Sequence, residues 1–547
     1  MQGLMMDYPL TLNAILGRAE RIHGRKEVVS RRPDRSLHRT TYADIASRAR
    51  KLAVALSALG VRTGDRVATL CWNQPEHLEL YFGVPALGAV IHTLNPRLDA
   101  GELSYIVHHA DDKVLVVDET LLPVFESFRA TRTFAHVILI GHGGEMPDGM
   151  LSYAELVERA DAEAFAPRVL DETDAAAMCY TSGTTGRPKG VVFSHRALVL
   201  HSLGSAVPDA FCLGESDVVL PVVPMFHANA WGIPFAATMV GAKQVYPGPH
   251  LDGASLLELL AGERVTFTAG VPTIWIRLLQ ELDRAPGAHD LSRLKTLIVG
   301  GSAAPKALIE AYERRHGLKI VHAWGMTEMS PLGTVARLPR HFADVPEDRQ
   351  YAFRAKQGIP VPFVEIRARG AEGLVPWDGQ TMGELEVRGP WVARAYYDSE
   401  EGDERFTADG WFKTGDIVTI DPLGCIEITD RAKDLIRSGG EWISSVALEN
   451  ALMAHPAVAE AAVIAVPDPQ WQERPLAVVV LKPGQATTQE DLLASLAGNF
   501  PKWWLPDTVE FVDEIPKTAV GKFKKAALRE RFNAPPARVP GGPDAAS

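Results

Sequence analysis

A chain of 547 residues is long enough to bury more than one hydrophobic core. Its net charge of -12, with both signs mixed along the sequence, offers no basic stripe for nucleic acid and no polybasic arm for anionic lipid, so a bound nucleotide must meet a local cationic site. The four cysteines (Cys71, Cys179, Cys212, Cys425) form no CxxC pair, which argues against a zinc site or disulfide framework and predicts a reducing, cytoplasmic setting. The first residues lack a basic segment followed by an apolar run, so no signal peptide is expected.

The chain opens with a helical pattern. Thr40 to Asp44 then reads as a cap for a helix over residues 45–59, with apolar positions at three- and four-residue spacing, and Gly60 to Gly64 closes it. Residues 65–70 read as a short buried strand, 75–87 as a helix, and 114–117 and 137–140 as further strands. Alternation of this kind implies βα units on a largely parallel sheet. Residues 175–180 form another buried strand, and 191–193 the strand that returns.

Between them lies Tyr180-Thr181-Ser182-Gly183-Thr184-Thr185-Gly186-Arg187-Pro188-Lys189-Gly190. Its glycines let the main chain bring N–H groups close to an anion, its hydroxyls donate, and Lys189 adds charge. It is not a Walker loop, because Pro188 precedes Lys189 and Gly190 follows it, where that motif needs Lys-Ser/Thr at a helix start. As a phosphate cradle it sits at the junction of two strands.

Residues 218–242 carry no formal charge and could span a bilayer by length alone. Pro221, Pro224, His227, Asn229 and Pro234 would be costly in lipid, so a strand, a polar turn and a buried helix are predicted instead, with no transmembrane segment. Residues 244–246, 265–268 and 294–301 continue the strand pattern, the last opening into the small-residue turn Gly300-Gly301-Ser302-Ala303-Ala304-Pro305. A strand ending at His322 leads to Trp324-Gly325-Met326-Thr327-Glu328. Residues 360–430 read as short alternating strands, an antiparallel barrel-like part, and from Asp430 the composition shifts to a compact α+β module with helices at 446–454 and 489–496 and strands at 458–466, 476–481 and 508–512. The predicted organisation is therefore 1–430, 431–533 and an Ala/Pro/Gly-rich tail, 534–547, expected to be disordered.

The cradle resembles the signature loop of the adenylate-forming superfamily, which contains acyl-CoA synthetases, luciferases and peptide-synthetase adenylation domains. Resemblance spans residues 10–533, with the motifs in the family's order. It implies an α/β fold: a large N-terminal domain of stacked βα sheets plus a barrel-like β part, and a small mobile α+β C-terminal domain. It implies ATP, Mg²⁺ and coenzyme A as cofactor and co-substrates, with a small-molecule carboxylic acid as the group activated. Through Trp324-Gly325-Met326-Thr327-Glu328 it implies that Thr327 meets the α-phosphate and Glu328 holds Mg²⁺, a hard cation best served by oxygen. Thr181 and Thr184 are both hydroxyl ligand candidates.

By the same resemblance the cradle residues Thr181, Ser182, Gly183, Thr184, Thr185, Gly186 and Lys189 bind ATP, and Gly301 and Ser302, with His322, Ala323, Trp324, Gly325 and Met326, line the nucleotide and acyl pocket. Asp416, after Thr-Gly, accepts from two ribose hydroxyls. Arg431 in Asp430-Arg431-Ala432-Lys433-Asp434 reaches ribose or phosphate, and Lys433 is the hinge and lies beside the nucleotide. Gly439, Gly440, Glu441 and Trp442 resemble the loop that enters the site during thioester formation. Lys522, in Pro516-Lys517-Thr518-Ala519-Val520-Gly521-Lys522, resembles the lysine that meets carboxylate and bridging phosphate oxygens. His227 matches an aromatic-or-His position beside the acyl carboxylate, and Trp231 is either core or the lining of an acyl tunnel. Arg437 departs from the family's usual Lys; charge is kept, the compact ammonium is not.

Ser438 to Ser445, Trp471-Gln-Glu-Arg-Pro475 and Lys502-Trp503-Trp504 are most similar to bacterial medium- and long-chain fatty acyl-CoA synthetases and methylthiopropionate-CoA ligases. The expected activity is fatty acid–CoA ligation through acyl-AMP, favouring medium- to long-chain acids. The alternatives are a 3-methylthiopropionate-CoA ligase or other short-chain acyl-CoA synthetase, and a non-catalytic nucleotide- or acyl-binding protein. A homodimer is what the fatty acyl-CoA synthetase resemblance implies.

Overall fold

The computed structural model describes the chain except residues 2, 182–186, 343, 400–402, 439–440, 518–522 and 534–547. Seven of the cradle and loop residues proposed above (Ser182, Gly183, Thr184, Thr185, Gly186, Gly439, Gly440), together with Lys522 and the predicted tail, lie outside the described residues, as does the side chain of Glu441.

Two large sheets form the N-terminal part. One has seven strands in the order Leu151–Ser152, His136–Ile140, Asp112–Asp118, Arg66–Leu70, Val90–Thr93, Ala175–Tyr180 and Gly190–Ser194, parallel except for the last pairing. The other has nine, with Lys243–Tyr246, Val218–Pro221, Phe267–Gly270, Thr296–Val299 and Ile320–Gly325 side by side and parallel at its centre. Helices cover both sheets, and the central strands are near-continuous apolar runs because both faces are buried. The part expected to be antiparallel is a sheet of five strands, Gly373–Leu374, Glu365–Gly370, Gly383–Arg388, Phe412–Ile420 and Ile426–Arg431.

Several elements differ in extent from the sequence expectation, each for a local reason. The helix expected from residue 45 begins at Tyr42 (Tyr42–Ala58), because Thr41 and Asp44 complete a capping box. Residues 265–268 shift to a strand Phe267–Gly270, since Arg264 turns back with φ 54° and Val265 N–H still bonds the end of the preceding helix. The strand expected to end at His322 runs on through Gly325, held by antiparallel pairing with Leu332–Val335. The central strand Val90–Thr93 and the helix Ala100–His109 were not foreseen; the strand is short and wholly buried, which leaves no alternation to read.

Within 218–242 the chain forms the strand Val218–Pro221, a tight turn, and the buried helix Ile233–Val240, and among the described residues no helix is long and apolar enough to cross a membrane. The C-terminal part is smaller. Its sheet joins Glu441–Ile443, Ile436–Ser438, Gln472–Leu481 and Val458–Asp468, with Thr508–Phe511 beside Gln472–Leu481, and Ser445–Met453, Gln489–Ala497 and Lys525–Asn533 are its helices. Its apolar clusters begin at Ile436, whereas the main N-terminal core ends at Ile426 with Ile428 packed on it. The two parts therefore have separate cores.

Candidate functional site

The end of the strand Ile320–Gly325 meets the five-stranded sheet at one side-chain contact: Trp324 Nε1 donates to Asp416 Oδ2 at 3.0 Å. Both groups are buried, and Gly415, with φ 73°, turns the chain so that the Asp416 N–H bonds Thr414 Oγ1 at 3.1 Å. Asp416 pairs in register with Arg431, whose Nε lies 2.8 Å from Asp416 Oδ1. That ion pair is close but not aligned as a hydrogen bond, so Oδ1 keeps acceptor capacity in a buried place. An unsatisfied carboxylate oxygen of this kind suits a hydroxyl-bearing ligand. Gly325 permits the close approach of the Pro331 carbonyl, which would lie 1.9 Å from a Cβ there. His322, on the same strand, gives Nδ1 to the Ala355 carbonyl region at 3.0 Å, and burial lowers its pKa, so its ring stays neutral. Ala323 is buried on this strand, Met326 follows it half-buried, and Gly301 and Ser302 lie exposed at the end of the neighbouring strand Thr296–Val299.

A second cluster surrounds Glu328 in the short turn Thr327–Met329. Glu328 is buried, and its Oε1 accepts from Tyr396 Oη at 2.6 Å, while Arg405 donates to the same phenol at 3.2 Å and stands 3.8 Å from the carboxylate. Burial first, and then the Glu328 carboxylate, push the Tyr396 pKa upward, which keeps the phenol a donor. Lys189 sits over the Tyr396 ring at 4.4 Å and pairs with Asp403 at 2.7 Å, so an incoming anion competes with that carboxylate for the ammonium. Thr181 closes the base of the cradle, its N–H bonding Lys189 O at 3.0 Å and its Oγ1 accepting from Lys189 N at 3.1 Å. Thr327 is half-buried beside Glu328. Tyr396, Asp403 and Arg405 were missed by the sequence reading. Tyr397, next to Tyr396 in the chain, packs against Gly190 instead, with its N–H on Gly190 O at 2.8 Å.

Among the described residues no group of three or more His, Cys, Asp or Glu side chains could hold a metal ion. Glu328 is a single buried carboxylate. It suits a cation such as Mg²⁺ that takes one or two protein carboxylates and completes its shell with phosphate oxygens and water.

A third feature is the turn that carries His227 and Trp231. Ala228, Asn229, Ala230 and Trp231 have φ of 42°, 54°, 50° and 56°, a run of left-handed residues without a glycine until Gly232. Each costs about 1–2 kcal/mol in that region, so the surroundings must impose the conformation. Cys179 Sγ contacts Asn229 Oδ1 at 3.6 Å, Ala230 and Asn229 are buried, and the Trp231 ring lies against Gly300, where a Cβ would approach it to 3.0 Å. The strained turn thus sets an indole beside the Gly300–Gly301 turn. His227 caps this turn and is half-buried.

The structure therefore brings together Trp324, Asp416 and Arg431; Glu328 and Lys189 through Tyr396; and Trp231 with Gly300 and Gly301. Arg437 and Trp442 are elsewhere: they are cross-strand partners in the C-terminal sheet, where Arg437 N–H bonds Glu473 at 2.8 Å. Lys433 lies exposed in the turn between the two parts.

Residues 18–397 match the model of the AMP-binding enzyme family, and residues 447–522 match that of the AMP-binding enzyme C-terminal domain. The long-chain-fatty-acid–CoA ligase of Thermus thermophilus is 52% identical over 533 residues, covering 96% of each chain. The 3-methylmercaptopropionyl-CoA ligase of Ruegeria pomeroyi is 46% identical over 539 residues, covering 97% of this chain and 99% of its own. Among solved structures, the anthranilate CoA ligase AuaEII in complex with anthranoyl-AMP superposes with a TM-score of 0.83 at 28% identity, over 96% of this chain and 98% of that one. With its main family model covering well over half the sequence, and with relatives this similar along nearly their whole length, the chain belongs to the AMP-binding enzyme family of adenylate-forming ligases.

Proposed function

We propose that this chain is an ATP-dependent fatty acid–CoA ligase acting on medium- to long-chain acids. A carboxylate oxygen attacks the α-phosphorus of ATP, the bond to the bridging oxygen breaks, and pyrophosphate leaves with its electron pair. The thiol sulfur of coenzyme A then attacks the acyl carbonyl carbon, AMP leaves, and the thiol proton passes to solvent. Activation is needed because a carboxylate oxygen leaves poorly and AMP leaves readily.

The observation that carries the reading is the convergence of Trp324, Asp416 and Arg431, with a buried acceptor oxygen left open on Asp416. In this reading Asp416 accepts from the ribose hydroxyls, Trp324 holds its other oxygen in place, and Arg431 exchanges part of its ion pair for the nucleotide. His322, Ala323, Gly325 and Met326 line the nucleotide, with Gly301 and Ser302 on its adenine and acyl side. Thr327 donates to the α-phosphate, and the cradle, from Thr181 to Lys189, takes the remaining phosphates. Tyr396 aims the Glu328 carboxylate. Mg²⁺, held by Glu328 with Thr181 or Thr184, would neutralise phosphate charge when bound. Lys522 stabilises charge between carboxylate and α-phosphate. His227 lies beside the carboxylate, and Trp231 lines the acyl chain. The work of the protein is positioning and charge stabilisation.

We assign residues 1–430 to the N-terminal domain and 431–533 to a lid that turns about Lys433, bringing Gly439 to Trp442 toward the site for the second step, with Arg437 near phosphate or coenzyme A. The separate cores on either side support this assignment. A cytoplasmic homodimer completes the proposal. The similarity to a 3-methylmercaptopropionyl-CoA ligase keeps a short methylthio acid as a second reading. Acyl-CoA formation across free acids of increasing length separates the two: kcat/KM rising with chain length supports the fatty acid reading, and a maximum at 3-methylthiopropionate overturns it.

A further inference from the structure

The junction between the two parts is polar where their cores are not. Asp430 is the next-to-last residue of the strand Ile426–Arg431, beside the Arg431 that pairs with Asp416, and is fully buried. Its carboxylate accepts from the N–H of Ser445 and, at 3.0 Å, from Ser445 Oγ, at the start of the helix Ser445–Met453. The Ser444 hydroxyl donates to the Thr429 carbonyl on the same strand. Ser445 Oγ in turn accepts from Lys525 Nζ at 2.7 Å, and that ammonium pairs with Glu449 at 2.5 Å. Glu449 also accepts from Val463 N–H at 2.7 Å.

Ser445 has one hydroxyl proton to give and lone pairs to receive with, so the chain has one direction: Lys525 donates to Ser445, and Ser445 donates to Asp430. A single buried cation thus serves two buried carboxylates, Asp430 and Glu449, one on each side of the junction. Burial pushes both carboxyl pKa values up and Lys525 opposes it, so losing the ammonium leaves Asp430, the carboxyl that joins the two parts, without the cation behind its Ser445 partner. Lys525 also opens the helix Lys525–Asn533, and the Lys517–Phe523 bridge and the bond from Lys524 N–H to Pro516 O close the base of the intervening segment just before it. Lys522 belongs to that segment by sequence.

We propose that Lys525 is a positioning residue: through Ser445 and Asp430 it fixes the C-terminal part on the strand beside Asp416 in the orientation used for adenylation, and the contact opens for thioester formation. A polar joint suits this task. Its hydrogen bonds have one geometry when closed and are exchanged for water when open, whereas an apolar joint would leave exposed surface. The inference rests on the acyl-CoA ligase reading for its catalytic consequence only.

The test measures the two half-reactions separately, as carboxylate-dependent ATP–pyrophosphate exchange and as transfer from supplied acyl-AMP to coenzyme A. Lys525→Gln should lower kcat for exchange about tenfold or more, with KM for ATP little changed and transfer preserved, and Lys525→Arg should recover most of the loss. Ser445→Ala, which keeps the Lys525–Glu449 pair, should show the same pattern more weakly and carries the test if Lys525→Gln does not fold. Hydrogen exchange at residues 444–447 should quicken in both variants while strand 458–468 stays protected. Equal loss in both half-reactions, or unchanged exchange at 444–447, overturns the positioning role. If wild-type protein shows no carboxylate-dependent pyrophosphate exchange, it is the ligase reading that fails, and the hydrogen-exchange arm still decides the joint.

Discussion

The N-terminal site and the C-terminal part are built on opposite principles. Around Trp324, Asp416 and Glu328 the functional groups are buried on strand ends or tight turns and hold each other directly. In the C-terminal part Arg437 and Trp442, both expected to act, lie on a small sheet, and that part meets the rest through Asp430 and Ser445, backed by Lys525 and Glu449. A site that must stabilise charge in every turnover gains from rigid, preorganised dipoles. Groups needed in only one of two steps gain from a joint that can open without exposing either core.

That contrast is broken most directly by substitution on each side. Asp416→Ala should slow both half-reactions, by roughly 10²–10³-fold, because AMP is held in each. A loss in one step alone would remove Asp416 from the common floor. Lys522→Ala should slow adenylation by a similar roughly 10²–10³-fold yet spare transfer from supplied acyl-AMP; equal losses would mean that the two parts do not divide the labour. A smaller effect is expected from Lys433→Pro, which fixes φ near −65° and should slow coenzyme A transfer about tenfold while leaving exchange largely intact. Wild-type single-turnover transfer in that variant would put the hinge elsewhere. Trp231→Ala should change the ratio of rates for long against short acids a few-fold with ATP binding near normal, since each methylene contributes only about 0.8 kcal/mol; a uniform loss returns Trp231 to the core.

Acid should also separate the parts, by a smaller effect on melting. His77 and His195 are held down to about 4 and His201 to about 3 by burial, all three in the N-terminal part. A histidine depressed in the fold contributes stability above its unfolded pKa of about 6.5 and loses it as pH falls toward 3–4, because the unfolded chain takes the protons first. Glu79, raised to about 7, acts in the opposite sense, favouring the fold below about 4.5 and losing that gain as pH rises through 7. Three histidines outweigh it between pH 6.5 and 5. In the C-terminal part Glu449, raised by burial, offers no loss in that window. Calorimetry should find the N-terminal transition lowered by a few degrees at pH 5 and the C-terminal one unmoved; a common shift would contradict it.

Much of this arrangement was legible in the sequence, and the rest fails for identifiable reasons. The cradle stands out by its own glycines, hydroxyls and lysine, whereas the Thr327–Glu328 turn and Asp416 stand out only through the resemblance to adenylate-forming enzymes, since a Thr-Glu pair alone reads as a helix cap. Tyr396 was not separable from Tyr397: adjacent aromatics look alike until the fold turns one to Glu328 and the other to Gly190. Asp403 and Arg405 carry no local signal because their partners, Lys189 and Glu328, are distant in sequence. Nothing in Ala228-Asn229-Ala230-Trp231 announces a left-handed turn, since none of these residues adopts it without tertiary support. Lys525 and Glu449 look like exposed helix charges, and only the packing of the last helix on the strand Val458–Asp468 buries them.

The central claim, that one floor of buried groups activates a fatty acid as its adenylate before coenzyme A is engaged, is tested by ATP–pyrophosphate exchange without coenzyme A. The protein should show exchange that depends on a medium- or long-chain free acid and falls by at least about a hundredfold in Glu328→Gln. Exchange that needs coenzyme A, or that proceeds without any acid, would contradict it.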